Sequence, residues 1–200
     1  MLDTKGQPYI QPLLDTTADT FVKWHLSANV VTGIAVGIGI MASVWIYVDL
    51  IWLGLIFLWL SGFLDAVDGT MARKTKPSAL GTVLDVTFDR VVEGGIILVL
   101  AIKYPEHAVL LLILMFSILI AMTLFLTIGN VAPNSGKKSF HYATGLAERT
   151  EGFILLSIMV IFAPTWLFWS TLLFIIIEVL STVLRFAAFA KEEREGHDRT

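Results

Sequence analysis

The chain is short of charge and has no cysteine. Of its 200 residues, 16% are charged and 56% are hydrophobic, and the mean hydropathy is +0.78. Water-soluble domains carry about 25% charged and about 45–50% apolar residues. The composition therefore excludes an ordinary soluble domain, a disordered chain and a nucleic-acid-binding protein. Without cysteine, a disulfide framework, a thiolate metal site and a cysteine nucleophile are also excluded. What remains is an integral membrane protein.

The sequence also lacks several patterns that mark other architectures. The stretch from Met1 to Pro12 has no basic segment followed by an apolar core, so we expect no cleaved signal peptide. There is no repeat of fixed period, and the four histidines are scattered along the chain, which argues against a histidine metal site. No stretch outside the apolar segments is long enough for a second domain. We therefore expect residues 1–200 to form a single membrane domain.

Six apolar segments are candidates for membrane spans, because a spanning helix needs about 20 mostly apolar residues. They cover residues 29–48, 49–68, 83–103, 108–129, 146–163 and 166–189. The predicted fold is all-α: a bundle of six transmembrane helices over residues 29–189, followed by a charged cytoplasmic tail over 190–200.

The basic residues predict the orientation of this bundle. With six spans, both ends of the chain lie on one side of the membrane. That side receives every lysine and arginine of the 14 except Lys103. We therefore expect both termini in the cytoplasm and the protein in a cell membrane, most simply a prokaryotic plasma membrane.

A different pattern precedes the first span. Over residues 8–26 the apolar side chains recur at helical spacing, with Asp15, Asp19 and Lys23 on other faces. This is typical of an amphipathic helix. It would lie in the cytoplasmic interface of the membrane, or pack on the ends of the bundle. The sequence leaves both options open.

Four aspartates stand near the cytoplasmic ends of the second and third spans. Asp65 and Asp68 share one helix face at i, i+3, and Asp85 and Asp89 share another at i, i+4. The connection between the two spans is short, so we expect antiparallel neighbours that bring all four carboxylates to one depth. Charged groups inside spans are costly and usually functional.

These carboxylates would repel one another unless a cation were bound. A ligand set made only of carboxylate oxygens favours Mg²⁺ or Mn²⁺, and four carboxylates can hold two such ions. Two metals suit displacement at phosphorus. Gly69 and Gly81 would let a ligand approach the backbone, and Arg73 offers a fork of donors for phosphate. The alternatives at this point are buried helix–helix ion pairs and a divalent-cation transporter.

The spacing of these residues resembles the signature of the CDP-alcohol phosphotransferase (CDP-alcohol phosphatidyltransferase) family. The chain reads D-x-x-D-G-x-x-A-R, then seven residues, then G-x-x-x-D-x-x-x-D, from Asp65 to Asp89. The family pattern usually has eight residues in the gap, which here is the loop between two helices. Other stretches are similar to the branch that contains the phosphatidylinositol-phosphate synthases.

The resemblance implies a reaction and roles for the motif residues. Family members transfer a phosphate-linked group from a CDP-alcohol to a hydroxyl acceptor and release CMP. By similarity the four aspartates would hold the metals, and Asp89 would also be the base that takes the acceptor's proton. The CDP pocket would be shaped by Asp68, Gly69, Ala72, Arg73 and Gly81.

Two further stretches carry the resemblance beyond the motif. Asn29 and Thr32 lie in a segment similar to the family's entry to span one, although Ala28 stands where proline is usual. They would touch the nucleotide or simply pack at the helix start. Glu93 follows Asp89 by one turn and would position the acceptor or form a structural ion pair.

The resemblance also points to acceptor binding near spans five and six. Arg149 and Arg185 match basic positions of the inositol-phosphate branch and would bind a phosphorylated acceptor. Lys137 and Lys138 would assist them or only report topology. Gly152 stands where inositol-phosphate members carry a second arginine, which leaves the identity of the acceptor open.

The implied donor is a CDP-linked lipid, most simply CDP-diacylglycerol, and the implied acceptor is a small polar alcohol, phosphorylated or not. A homodimer in the lipid bilayer, without a nucleic-acid partner, is expected by resemblance. One alternative keeps the fold and reverses the substrates, as in choline- or ethanolamine-phosphotransferases with a lipid acceptor. The other alternative is the transporter.

Overall fold

A computed structural model describes residues 2–75, 78–131 and 149–197, and the regular elements within them are helices. Their bounds are α1 Leu2–Lys23, α2 Ala28–Tyr47, α3 Ile51–Lys74, α4 Ala79–Lys103, a single 3₁₀ turn Pro105–His107, α5 Ala108–Val131, α6 Arg149–Ile161 and α7 Leu167–His197. The all-α fold class expected from the sequence is therefore confirmed.

Within the described residues, four segments are long and apolar enough to cross a membrane: Ala28–Tyr47, Ile51–Lys74, Pro105–Val131 and Leu167–Arg194. They correspond to four of the six predicted spans. The other two predicted spans do form helices. The 25 residues of α4 include the charges of the aspartate motif, and the described part of α6 has only 13 residues. Length and composition alone therefore support four spans.

Serine side chains fix the starts of two helices that carry motif residues. Ser27 precedes α2 and its hydroxyl accepts a hydrogen bond from the amide of Val30 at 3.4 Å. Ser78 precedes α4 and accepts from the amide of Gly81 at 2.9 Å. Such caps satisfy amides that have no partner inside the helix. Because Ser78 is a good cap, α4 begins at Ala79, four residues before the apolar run at 83.

The helix α2 lies against both α3 and α4, whereas α3 and α4 meet only over a short stretch. The sequence predicted α3 and α4 as direct neighbours, and this is only partly right. Ser61 of α3 donates a hydrogen bond to the carbonyl of Ala35 in α2 at 2.7 Å. Gly39, one turn further along α2, faces both Ser61 and Val92 of α4. Small residues on α2 thus hold the two motif helices at a fixed separation.

The amphipathic helix α1 packs on the bundle. Its buried residues Leu14 and Ala18 join Val31, Val67 and Met71 in a small apolar cluster under the helix. Other apolar side chains of α1 are exposed, among them Tyr9, Ile10, Leu13 and, just past its end, Trp24. The helix therefore docks mainly on α3, with Val31 of α2 in the same cluster, and exposes apolar side chains suited to the membrane interface.

The end of the bundle opposite the aspartates is tied by Lys103. Its ammonium donates to the carbonyls of Ile46 and Tyr47 at 2.9 and 3.2 Å and pairs with Asp49 in the α2–α3 turn. This caps the last carbonyls of α2. Between the two ends lies the main apolar core, with Leu58, Ile96, Leu114, Leu156 and Met159 fully buried.

Candidate functional site

Three aspartates from two helices converge near one end of the bundle. Asp65 and Asp68 lie in the last turns of α3, and Asp85 lies in the second turn of α4. One carboxylate oxygen from each lies within 4.8 Å of the others. At 1.5 Å per residue, Asp68 stands about 9 Å before the end of α3 and Asp85 about 9 Å after the start of α4. The equal depth follows from the motif spacing.

The donor set fits a hard divalent cation. Asp65 and Asp68 are buried, at 8% and 4% exposure, and the Oδ2 atom of Asp68 makes no hydrogen bond within the described residues. A buried carboxylate oxygen without a partner is costly. Opposite oxygens around Mg²⁺ lie about 4.2 Å apart, so a group within 4.8 Å needs little contraction to bind one ion. The arrangement is consistent with the binding of a divalent cation.

Asp89 lies one helical turn beyond Asp85 on α4 and outside this group of three. It is partly buried. The charges that act on its carboxyl belong to Glu93, Asp85, Arg90 and Asp68. Asp89 therefore stands between the three converging aspartates on one side and a second charged pair, Arg90 and Glu93, on the other.

Among the described residues, Gly69 and Arg73 border an open space beside Asp68. A Cβ atom built on Gly69 would have one described side-chain atom within 4 Å, the Nη1 atom of Arg73 at 3.6 Å. The other terminal nitrogen of Arg73, Nη2, donates to the Oγ1 atom of Thr70 at 2.8 Å. Arg73 is exposed and Thr70 is buried. The hydroxyl of Thr70 thus orients the guanidinium along the last turn of α3, next to the space that Gly69 leaves free.

The starts of α2 and α4 meet at Gly81. A Cβ atom there would lie 3.2 Å from Oδ1 of Asn29 and 3.0 Å from Oγ of Ser78. Glycine permits this close approach. On the next turn of α2, Thr32 is buried against Asp68, and its hydroxyl donates to the carbonyl of Ala28 at 3.0 Å.

The predicted nucleotide-binding residues thus line one end of the bundle together with the aspartates. Ala72, which is partly buried, belongs to the same last turns of α3. The structure brings together the residues that the sequence assigned to the CDP pocket: Asn29, Thr32, Asp68, Gly69, Ala72, Arg73 and Gly81.

Glu93 forms a buried ion pair with Arg90. The Nη1 atom of Arg90 lies 2.7 Å from Oε2 of Glu93, and the Nη2 atom donates a hydrogen bond to Oε1 of Glu93 at 3.0 Å. Glu93 is 6% exposed. Gly152 of α6 faces this pair: a Cβ atom there would lie 3.9 Å from Oε1 of Glu93 and 3.9 Å from the ring of Phe174. The position at which inositol-phosphate members carry a second arginine therefore borders Glu93.

Two arginines, Arg185 and Arg149, were also predicted to bind the acceptor. The guanidinium of Arg185 lies 5.2 Å from the ring centre of Phe125, a cation–π contact between α7 and α5. Glu178 of α7 faces the charges of both Arg185 and Arg90. The side chain of Arg149 lies outside the described residues, as do Lys137 and Lys138 entirely.

Three residues of the site were missed by the sequence analysis. Thr70 orients Arg73 at i, i+3, a spacing that could have indicated the contact. Arg90 counted toward the topology and stood in the stretch from Asp89 to Glu93 that carries the family resemblance, but it received no role of its own, although its i, i+3 spacing to Glu93 carried the same signal. Glu178 received no role, because its neighbours on α4 are distant in sequence.

Known proteins resemble this chain over most of its length. A family model for CDP-alcohol phosphatidyltransferases matches residues 25–184. Inner membrane protein YnjF of Escherichia coli strain K12 is 27% identical over 174 residues, which cover 83% of this chain and 84% of that protein. Archaetidylinositol phosphate synthase of Methanothermobacter thermautotrophicus is 29% identical over 151 residues, 75% of this chain and 72% of that protein.

Solved structures share the fold. Phosphatidylinositol phosphate synthase PgsA1 of Mycobacterium tuberculosis, with CDP-DAG bound, superposes with a TM-score of 0.73 at 19% identity and covers 89% of this chain and 94% of its own. The same enzyme in complex with manganese and citrate gives a TM-score of 0.71 at 19% identity, with 88% of each chain covered.

Proposed function

This chain belongs to the CDP-alcohol phosphatidyltransferase family, and we propose that it moves a phosphatidyl-type group from CDP-diacylglycerol to the hydroxyl of a small polar alcohol. CMP is the second product. The observation that carries this proposal is the convergence of Asp65, Asp68 and Asp85 at the end of the bundle where Gly69 and Arg73 border an open space. Family membership argues against the transporter.

The aspartates are the proposed metal ligands. Asp65, Asp68 and Asp85 would hold one ion, and Asp89 would join them in holding a second. Mg²⁺ or Mn²⁺ suits oxygen ligands at this spacing, and the Mycobacterium enzyme that shares the fold was solved with manganese. When bound, the ions neutralise the pyrophosphate and stabilise CMP as it leaves.

The remaining residues around this end of the bundle bind and orient the donor. Arg73 donates to the pyrophosphate oxygens, and Gly69 leaves room for the phosphates against the helix. Asn29 and Thr32 contact the nucleotide from α2, while Ala72 and Gly81 shape the pocket from α3 and α4. Holding the reacting phosphorus in one position lowers the entropic part of the barrier.

Asp89 is the proposed general base. Its carboxylate accepts the proton of the acceptor hydroxyl while that oxygen forms a bond to the phosphorus next to the lipid. The bond from this phosphorus to the bridging oxygen breaks, and CMP carries the electron pair away. Asp89 stands between the three converging aspartates and Glu93, so an acceptor bound near Glu93 would present its hydroxyl to it.

The acceptor would bind beside α6 and α7. Glu93, held by Arg90, accepts hydrogen bonds from hydroxyl groups of the acceptor. Arg149 and Arg185 supply positive charge for an acceptor that carries a phosphate. The likeness to archaetidylinositol phosphate synthase supports a polyol-type acceptor. Because Gly152 stands where inositol-phosphate members carry a second arginine, alcohols without a phosphate are also candidate acceptors.

We propose six membrane spans with both termini in the cytoplasm and the site facing it. The length of α4 supports its assignment as a span, since 25 residues rise about 37 Å, more than a bilayer core of about 30 Å. Asp85, Asp89, Arg90 and Glu93 lie in its first 15 residues and Lys103 is its last residue, so the stretch between them is free of charge. Residues 1–200 would form one membrane domain, with α1 as the juxtamembrane helix and residues 190–200 as the tail. A homodimer is proposed by family likeness.

The test is CMP release by the purified protein from CDP-diacylglycerol with Mg²⁺ or Mn²⁺ and a panel of acceptors, with lipid products identified by mass spectrometry. The panel contains glycerol 3-phosphate, inositol phosphate, inositol and serine. Asp85→Asn should abolish release, whereas Glu106→Gln, an exposed carboxyl at the opposite end, should not. Absence of CMP with every acceptor, from folded and metal-loaded protein, would contradict the proposal.

A parallel reaction tests the reversed substrates. CDP-choline and CDP-ethanolamine are offered with diacylglycerol as the acceptor under the same conditions. Product from these donors, and none from CDP-diacylglycerol, would favour the choline- or ethanolamine-phosphotransferase alternative.

A further inference from the structure

Two carboxylates of α1 hold Lys74, the residue that follows the arginine of the motif. The ammonium of Lys74 lies 2.7 Å from the carboxylate of Asp19 and 3.1 Å from that of Asp15, and it also donates to the backbone carbonyl of Asp15 at 3.3 Å. Asp15 and Asp19 stand at i, i+4, so both reach the same point from one face of α1. One cation therefore serves two anions.

The packing beneath this ion cluster fixes its position against the motif. Leu14 and Ala18, which flank Asp15 on α1, are buried against Val67 and Met71 of α3. Val67 directly precedes Asp68 in the chain, and Met71 lies between Gly69 and Arg73. The acids of α1 are thus held close to the last turn of α3 by apolar contacts that do not depend on Lys74.

Arg73 and Lys74 are neighbours in sequence but point in different directions. Successive residues on a helix are about 100° apart. The guanidinium of Arg73 turns to Thr70 and the space at Gly69, and Lys74 turns to α1. Arg73 nevertheless remains within the electrostatic reach of Asp15, whose carboxyl has its pKa held below its ordinary value first by the hydrogen bond from Lys74 and also by the charge of Arg73.

The chain therefore places two carboxylates near a guanidinium that the donor's phosphates need. We propose that Lys74 is a positioning residue: it satisfies Asp15 and Asp19, so that these acids do not compete with the pyrophosphate of the CDP donor for Arg73. The inference rests on the proposed role of Arg73 as a phosphate ligand. Without Lys74, two negative charges would face Arg73 without the ion pairs that now hold them, and the guanidinium would turn from Thr70 toward α1.

A simple structural role for the ion cluster makes a different prediction. If the ion pairs merely fastened α1 to α3, then removing either the base or the acids would have the same effect, and removing all three groups would be at least as harmful. If Lys74 shields Arg73, then removing the acids is harmless and reverses the loss caused by removing the base. The two roles therefore differ in the sign of the coupling.

The experiment compares four variants by the KM for CDP-diacylglycerol in nonionic detergent at low salt. For Lys74→Met we expect a rise of about fivefold with kcat nearly unchanged, within the range over which an exposed ion pair shifts an equilibrium. For Asp15→Asn with Asp19→Asn, and for the triple variant with Lys74→Met added, we expect a KM within about twofold of the original. Lys74→Arg, which keeps the charge, should behave like the original chain.

Controls separate the outcomes. Thermal unfolding and size-exclusion profiles establish that each variant is folded, and Lys74→Gln replaces Lys74→Met if the latter does not purify. Raising the salt should shrink the effect of Lys74→Met, because exposed charges are screened. A triple variant as impaired as Lys74→Met, or an impaired double Asn variant, would overturn the inference.

Arg73→Ala distinguishes this failure from failure of the proposed function. If Arg73→Ala leaves the KM for the donor unchanged, Arg73 is not a phosphate ligand and both proposals for this residue fall. If Arg73→Ala raises that KM strongly and the triple variant still shows no rescue, only the shielding by Lys74 is wrong.

Discussion

Gly39 sits at the crossing that sets the distance between the two halves of the aspartate motif, and its replacement by alanine is a sharp test of the structure. A Cβ atom there would lie 2.8 Å from Oγ of Ser61 and 2.9 Å from Cγ1 of Val92. Real side chains do not approach so closely, so α3, α4 or both must move. Ser61 would also lose its 2.7 Å hydrogen bond to the carbonyl of Ala35 if its hydroxyl rotated away.

The same helix offers a matched control. Gly37 has nothing within 4 Å of a Cβ atom, so Gly37→Ala changes helix propensity without any collision. Forcing an extra methyl group into a packed contact costs about 1–3 kcal/mol. Because the gain in propensity is common to both variants, Gly39→Ala should be about 1–3 kcal/mol less stable than Gly37→Ala. For a chain of this size this corresponds to roughly 2–4 °C in Tm per kcal/mol.

The effect should reach the metal site. Ser61 precedes Asp65 by one turn on α3, and Val92 follows Asp89 by three residues on α4, so a wider crossing separates Asp65 and Asp68 from Asp85. We expect Mn²⁺ affinity about tenfold weaker in Gly39→Ala, the low end for changes outside the metal's own ligands, and unchanged affinity in Gly37→Ala.

The assay is thermal unfolding in detergent together with Mn²⁺ titration followed by electron paramagnetic resonance. Adding Val92→Ala removes the methyl groups that collide, so the double variant should recover part of both losses. Equal stability and affinity of Gly39→Ala and Gly37→Ala would refute this account of the crossing. The account would also be refuted if the losses of stability in Gly39→Ala and Val92→Ala simply added in the double variant.

Three other outcomes follow from the site and the opposite end of the bundle. Asp85→Asn should reduce Mn²⁺ binding at least about tenfold and abolish CMP release, and chelation of the wild-type protein should stop release until metal is restored; retained binding in the variant would be contrary evidence. Gly152→Arg places its Cβ atom in ordinary contact, 3.9 Å from both Glu93 and Phe174, and it should lower the KM for inositol phosphate relative to inositol; an unchanged ratio would exclude this position from acceptor choice. Lys103→Met should lower stability by about 1 kcal/mol through the lost cap of α2 without altering any KM, and a changed donor KM would show that the two ends of the bundle are coupled.

Much of the fold could be predicted from hydrophobic runs alone, because each run became a helix. The errors lie at helix ends, where polar residues rather than apolar ones decide. The first residue of α4 is set by the cap at Ser78, and α7 continues through the charged stretch to His197. Hydropathy also could not order the helices in space. The packing of α2 against both α3 and α4 depends on small residues such as Gly39, which look the same in sequence as the lipid-facing Gly37.

In the candidate site, contacts set by local spacing could be predicted, and contacts between distant elements could not. The spacing of the motif predicted that four carboxylates converge, and helical periodicity with a short connection places three of them together, Asp65, Asp68 and Asp85, with Asp89 outside this group. Contacts between elements distant in sequence could not be predicted: the ion cluster of Lys74 with α1, and Glu178 facing the charge on α4. A single sequence contains the residues of such contacts but no information on which of them meet.

The distribution of bases favours a cation site over buried helix–helix ion pairs as the reading of the aspartates. Buried helix–helix ion pairs would require a base at the carboxylates, and Arg73 was the nearest candidate. Its guanidinium donates instead to Thr70. Other acids do have bases, since Glu93 pairs with Arg90, Asp49 with Lys103, and the two acids of α1 with Lys74. Asp68 and Asp85 form no ion pair with lysine or arginine in the parts of the chain that the structure describes. In a chain so short of charge, two buried or partly buried acids without a base among the described residues support the proposal that a cation from outside the protein binds there.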